Sequence, residues 1–193
     1  MGLLSDTEGS SGSIYLVYKH SEKNFWLGKE DLCEFAGLIV DVDSVKTGWG
    51  IYTEAEGYQY QWDEKPGIRL PKPADIGDKY WTSAFSVQCY LKDTEQTVLW
   101  QSNTVGNARG FDGLTDCYLP HLNDKKPGQV GCFKSVKDDR GLLKVAYKDD
   151  KKQTSWPLFE WAGWIDRPEK FVDLEVVPVN EPVEEITEDQ IPF

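Results

Sequence analysis

The chain is short of the residues that most catalytic and metal sites require. Two of its 193 residues are histidine, His20 and His121, and one is methionine. A lone histidine at the end of a helix-like stretch, as His121 is, more often serves structure than chemistry. The four cysteines, Cys33, Cys89, Cys117 and Cys132, include no pair at the two-to-four-residue spacing of zinc knuckles and ribbons, which excludes that class of metal site. Cys89 falls in an alternating apolar stretch and reads as a core thiol, and the others read as free thiols of a reducing compartment. No Gly-x-Ser-x-Gly elbow, phosphate-binding Gly-Lys-Ser/Thr loop or His-Glu-x-x-His is present. The acid pairs Asp41/Asp43 and Asp138/Asp139 are the one route to a metal-dependent nuclease, but a chain with 33 acids forms such pairs by composition, and turns are their ordinary place. No apolar run approaches eighteen residues and no leader-like segment is seen. The expectation is a soluble, cytoplasmic protein that is not an enzyme and holds no cofactor and no metal.

Basic charge is also scarce, and its distribution is informative. Net charge is −12, yet seven of the 33 acids lie from Asp173 onward, where there is no Lys or Arg. More than half of the excess negative charge therefore sits in a short terminal segment. Acidic, Pro-containing and poor in aromatics, residues 173–193 are expected to be a disordered tail. Residues 1–13, with Ser10-Ser11-Gly12-Ser13, read as a flexible lead. That leaves 14–172 as one folded domain. The body remains mildly acidic, so any phosphate-binding surface on it must be a local basic groove.

The body reads as mainly β. Ile14–Tyr18 is a short β-prone run. Leu38, Val40 and Val42 alternate with Ile39, Asp41 and Asp43, and Gly48-Trp49-Gly50 predicts a bulge or sharp bend before the strand resumes at Ile51–Thr53. Glu56-Gly57 marks a turn into Tyr58-Gln59-Tyr60-Gln61-Trp62. Residues 63–78 form a long Pro/Gly-rich loop. A long strand follows through Leu91, then another over Thr97–Gln101. The pattern FDGLTDCYLPHL predicts the one helix, over Phe111 to Leu122. Val130–Val136 and Leu142–Lys148 are expected to pair as a hairpin around Asp138–Gly141, and Trp156–Ile165 is the closing strand. An all-β chain with one short helix in that place fits an OB-fold-like Greek-key barrel, with jelly-roll and sandwich arrangements still open.

What the chain does have is aromatic residues: eight Trp, nine Tyr and eight Phe. Tyr58, Tyr60 and Trp62 recur at every second residue, so a strand places all three on one face. Base stacking on aromatics tolerates any sequence and needs cations beside it. The candidate single-stranded DNA surface is therefore Tyr58, Tyr60 and Trp62 with Lys46, Trp49 and Tyr52 on the preceding strand, Arg69 and Lys72 in the loop, Lys79 and Tyr80 beyond it, and Lys144 and Lys148 at a groove edge. The same one-sided stripe is what a buried face looks like, and Trp81, Phe85, Phe159 and Trp161 are expected in the core.

The last residues narrow the reading further. Glu188, Asp189, Ile191, Pro192 and Phe193 run from acidic to apolar, and this order resembles the C-terminal tip of bacterial single-stranded DNA-binding proteins. Gln190 stands where that family usually carries another Asp. The resemblance implies a tip that docks on replication and repair enzymes: the Phe ring fills an apolar slot and a basic residue holds the carboxylate. The closing WPLFEWAGWI and the Gly-Trp-Gly segment resemble phage- and plasmid-encoded single-stranded DNA-binding proteins of OB type. The expected function is non-sequence-specific single-strand binding in replication, recombination and repair, in a bacterial or phage-infected cell. The expected partners are single-stranded DNA, host replication and repair proteins and, in a homo-oligomer, further copies of the chain, with no membrane. The alternative is an acidic mimic of DNA or of the host's tip that inhibits a host nuclease or repair enzyme.

Overall fold

The computed structural model describes residues 14–28, 31–65, 67–149 and 153–174. The expected lead 1–13 and all but Asp173 and Leu174 of the expected tail lie outside them. Among the described residues there are twelve strands: β1 (Tyr15–Lys19), β2 (Asn24–Leu27), β3 (Asp31–Cys33), β4 (Gly37–Val40), β5 (Lys46–Thr53), β6 (Gly57–Trp62), β7 (Thr82–Leu91), β8 (Gln96–Ser102), β9 (Gln129–Ser135), β10 (Val145–Tyr147), β11 (Ser155–Pro157) and β12 (Phe159–Asp166). The one α-helix among the described residues, α1 (Val105–Tyr118), follows β8 and continues into a 3-10 turn over Leu119–Asp124. Among the described residues no helix is long and apolar enough to cross a membrane.

Ten of these strands form one curled sheet in the order β12-β9-β4-β7-β8-β1-β2-β3, with β5 beside β4 on the same edge of β7 and β6 hydrogen-bonded to β5. β4 pairs with the C-terminal half of β7 (Leu38 opposite Leu91), and β5 with its N-terminal half (Gly50 opposite Thr82). β4 and β5 are thus one strand bent in the middle. Counted so, the succession of bent strand, β7, β8, helix, β9 and β12 follows the OB order of five strands with a helix after the third. The barrel is left as a half-barrel. β12 pairs with β9, while the outer edge of β8 is occupied by β1, in parallel through Tyr15 and Leu16.

The bend is not at the glycines. β5 runs unbroken through Gly48-Trp49-Gly50, and the break falls at the 3-10 turn Val42–Ser44, where Asp41 Oδ1 accepts from Asp43 N at 3.1 Å. An Asp that accepts from the backbone two residues on starts a turn by itself, and Asp41-Val42-Asp43-Ser44 carried that signal. The glycines serve close approach instead. A Cβ on Gly48 would lie 2.2 Å from the Gln61 carbonyl oxygen, and one on Gly50 would lie 3.0 Å from the Tyr60 ring.

Other expectations are corrected as well. β9 does not form a hairpin with residues 142–148. Its two edges are taken by β4 and β12, and β10 pairs with β11 in a separate two-stranded sheet. Only the turn itself survives, closed by a Lys137–Leu143 bridge. The closing strand is interrupted at Leu158, so Trp156 belongs to β11 and Phe159 onward to β12. The helix begins six residues before Phe111. Its first half, Val105-Gly106-Asn107-Ala108-Arg109-Gly110, has poor helix propensity. Tertiary contact overrides this: Gly106 sits against the Ser155 carbonyl and Gly110 against the Pro157 ring, each leaving no room for a Cβ. β2 and β3, too short to carry a pattern, went unread.

The core lies between the curled sheet and α1. Phe25, Phe85, Phe111 and Phe159 surround Trp100, which is fully buried, and three of the ring pairs meet edge-on while Phe85 and Phe111 stack at 4.3 Å. Trp161 is half-buried against this cluster, and Trp81 lies outside it with its indole nitrogen donating to the Ala74 carbonyl. A smaller cluster of Ile39, Tyr90, Val130 and Phe171 covers the other face of the sheet. It is fastened by Arg167, which bonds Asp41 at 2.5 Å, Asp173 at 2.6 Å and the Phe171 carbonyl.

Candidate nucleic-acid interface

The β5–β6 ribbon leaves the sheet at the N-terminal half of β7, and its register decides which side chains share a face. Tyr52 stands opposite Tyr58, Gly50 opposite Tyr60 and Gly48 opposite Trp62. Opposite residues of an antiparallel pair point the same way, so one face carries Tyr52, Tyr58, Tyr60 and Trp62 with two glycines among them. Without side chains on Gly48 and Gly50, the larger rings of β6 close over β5. The three β6 rings form a column. Tyr58 and Tyr60 are near-parallel at 6.2 Å and 10°, and Tyr60 and Trp62 at 5.0 Å and 5°. Tyr52 adds a tilted ring against Tyr58 at 5.0 Å. All four rings are half-buried.

This geometry limits what the column can do. Tyr60 stands between Tyr58 and Trp62, and at 6.2 and 5.0 Å the three rings are too close for a base to enter between them. Burial raises the Tyr60 pKa to about 12, offset in part by a hydrogen bond from Gln101 and reinforced by Tyr15 nearby. The column can be extended only at its ends, and Trp62 is the end away from Tyr52.

Trp49 does not join the column. It lies on the opposite face of β5, where its indole nitrogen donates to the Leu70 carbonyl at 2.9 Å and the Arg69 guanidinium covers its ring at 4.3 Å. Arg69 also donates to Ser83 and faces the Asp63 carboxylate at 3.9 Å. Burial pushes the Asp63 carboxyl up, but donation from Thr47 and Leu70 and the Arg69 charge outweigh it, and its pKa lies below the usual carboxylate range. Lys72 pairs with Asp75 at 3.0 Å and sits over Tyr80, whose ring is exposed. Lys46 and Lys79 are exposed. Lys144 and Lys148 are exposed too, but they flank β10 in the small two-stranded sheet and are not neighbours of the column. Of the residues expected together, the structure groups Tyr52, Tyr58, Tyr60 and Trp62 on one face, Trp49 with Arg69 on the other, and sets Lys144 and Lys148 apart. The docking residues Glu188, Asp189, Ile191, Pro192 and Phe193 lie outside the described residues.

Beside the column is a cleft of about 260 Å³ that sequence reading missed. Tyr58 and Tyr60 form one wall, Tyr15 and Val17 of β1 another, and Gln101, Ser102, Thr104 and Asn107 the floor, with His20 at the end of β1. It exists because β1 takes the edge of β8 that a closed barrel would give to its last strand. Asn107, buried in the first turns of α1, holds this junction. Its carbonyl oxygen accepts from Tyr18 N and Trp100 Nε1, and its amide donates to the Tyr18 carbonyl and to Thr104 Oγ1. The one available signal was the polar run Gln101-Ser102-Asn103-Thr104 before a helix start. Among the described residues no group of three or more His, Cys, Asp or Glu could hold a metal. No family model, curated protein or solved structure matches the chain.

Proposed function

We propose that the protein binds single-stranded DNA without sequence preference and recruits replication or repair enzymes through its C-terminal tip. The observation that carries the reading is the half-buried ring column of β6, set on an OB-like sheet. A stacked column of half-buried rings does little for the core, yet it offers a flat end on which any base can continue the stack. Trp62 supplies that end, and Lys46, Arg69, Lys72, Lys79 and Tyr80 lie on the same ribbon or the loop leading from it. A single strand laid over the column face of β5–β6 stacks a base on Trp62, with Lys46 of that face and Lys72 and Lys79 of the loop as the cations for its phosphates.

One observation favours the second reading, an acidic mimic. Arg69 and Lys72 already face Asp63 and Asp75, which lowers the positive potential available to phosphate. Tryptophan fluorescence on titration with oligo(dT) separates the two. Single-strand binding should quench strongly, and Trp62→Ala should weaken affinity by about 1–3 kcal/mol while leaving the fold intact. No quenching, together with retained affinity for host nucleases, favours the mimic. For the tip, one residue added after Phe193 should abolish capture of replication enzymes without changing DNA affinity, because the aromatic anchor and its carboxylate act as a unit.

A further inference from the structure

We infer that the cleft between β1, β6 and the start of α1 is a pocket for a single unstacked nucleobase. The inference rests on the single-strand reading and deepens it, since the cleft and the ring column share Tyr58 and Tyr60. Size is the first argument. At about 260 Å³ the cleft exceeds the roughly 150 Å³ that accepts a benzene ring, yet falls below the roughly 300 Å³ at which pockets for larger ligands begin. One planar heterocycle fits and a stacked dinucleotide does not. Chemistry is the second. Tyr15, Val17, Tyr58 and Tyr60 line the cleft with aromatic and apolar surface, while Gln101, which hydrogen-bonds the Tyr60 hydroxyl, and His20 bring polar groups to it. Asn107 is fully committed to Tyr18, Trp100 and Thr104, so it shapes the floor and leaves recognition to the others.

The third argument is continuity. The rings on either side of Tyr60 stand too close for a base to enter between them, so a strand crossing the column does not insert a base there. A base that reaches Tyr60 meets it from the cleft, which Tyr60 lines together with Tyr58. The column therefore stacks one base at Trp62 and passes a neighbouring one into the pocket.

The chain carries only two histidines, which makes the test direct. His20 lines the cleft, and His121 is stacked on Trp161 at 5.4 Å outside it. The probes are the four deoxynucleoside 5′-monophosphates and, as a control without a base, ribose 5-phosphate, added to the full chain while both imidazoles are followed by NMR. The nucleotides should move the His20 resonances saturably and leave His121 unmoved, and ribose 5-phosphate should move neither. Val17→Phe, which narrows the cleft, should weaken nucleotide binding about fivefold or more. Should His20 ignore all four nucleotides, or respond equally to ribose 5-phosphate, the pocket assignment is overturned, whether or not Val17→Phe folds. Quenching by oligo(dT) is scored separately. Nucleotide binding without oligo(dT) binding sinks the single-strand function and spares the pocket, and the converse spares the function and sinks the pocket.

Discussion

Two aromatic assemblies in this molecule are built on opposite principles. Around Trp100, rings contributed by β2, β7, α1 and β12 meet mostly at steep angles, and the central indole is closed off from solvent. On β6, three rings from a single strand lie parallel and half-buried. Edge-on contact among rings from four distant elements fills space in every direction, as a core requires. A parallel column drawn from one strand fills space along one line only, capped by Tyr52 at one end and finished by the half-buried Trp62 at the other. It also needs a partner strand stripped of side chains, which is the role of Gly48 and Gly50. The first assembly holds the fold together, and the second is held up by it.

That contrast can be broken most forcefully at Trp100. Trp100→Ala removes the hub of the core and leaves Asn107 Oδ1 with one donor fewer, so it should cost about 4 kcal/mol by urea denaturation. A loss below about 1 kcal/mol would mean that the cluster is not the centre of stability. Asn107→Ala tests the junction between β1 and α1. It strands the Tyr18 amide and carbonyl and the Trp100 indole N–H, and about 3 kcal/mol should be lost. Next comes Gly48→Ala, where the added methyl meets backbone at 2.2 Å and should cost about 2 kcal/mol by forcing β5 and β6 apart. Its DNA affinity should fall further than its stability suggests, because the column is displaced while the core is intact.

How much of this was legible in the chain follows the same division. The Tyr58/Tyr60/Trp62 stripe and the long β7 were readable because period-two patterning is local. The bend at Asp41–Ser44 was misplaced because two conspicuous glycines outweighed a quieter Asp-initiated turn, and glycine signals close approach as readily as a bulge. The early start of α1 was hidden because Gly106 and Gly110 are unfavourable in isolation and are required only by the positions of Ser155 and Pro157, far along the chain. The cleft could not be read at all. It depends on β1 lying parallel to β8 across more than eighty residues of sequence, a pairing that no local pattern encodes.

The smallest effect, and the sharpest view of the column, is the titration of Tyr60. Burial between two rings raises its pKa from 10.0 to about 12, with Gln101 donating to the oxygen and reducing the rise. A raised pKa in the folded state means that the folded protein keeps a proton the unfolded chain has released. The associated stability is therefore fully present below about pH 10 and declines as pH climbs toward 12. At neutral pH nothing should be seen. Ultraviolet absorbance of phenolate, taken as the difference between wild type and Tyr60→Phe, should show this ring ionising only near pH 12. Bound oligo(dT) should push that step higher still if bases cover the mouth of the cleft, because further loss of water disfavours the phenolate. A Tyr60 that ionises near pH 10 would mean a hydroxyl in bulk water rather than one enclosed by the cleft. The column would then be an ordinary exposed stripe, and the distinction between it and the core would reduce to position in the sheet.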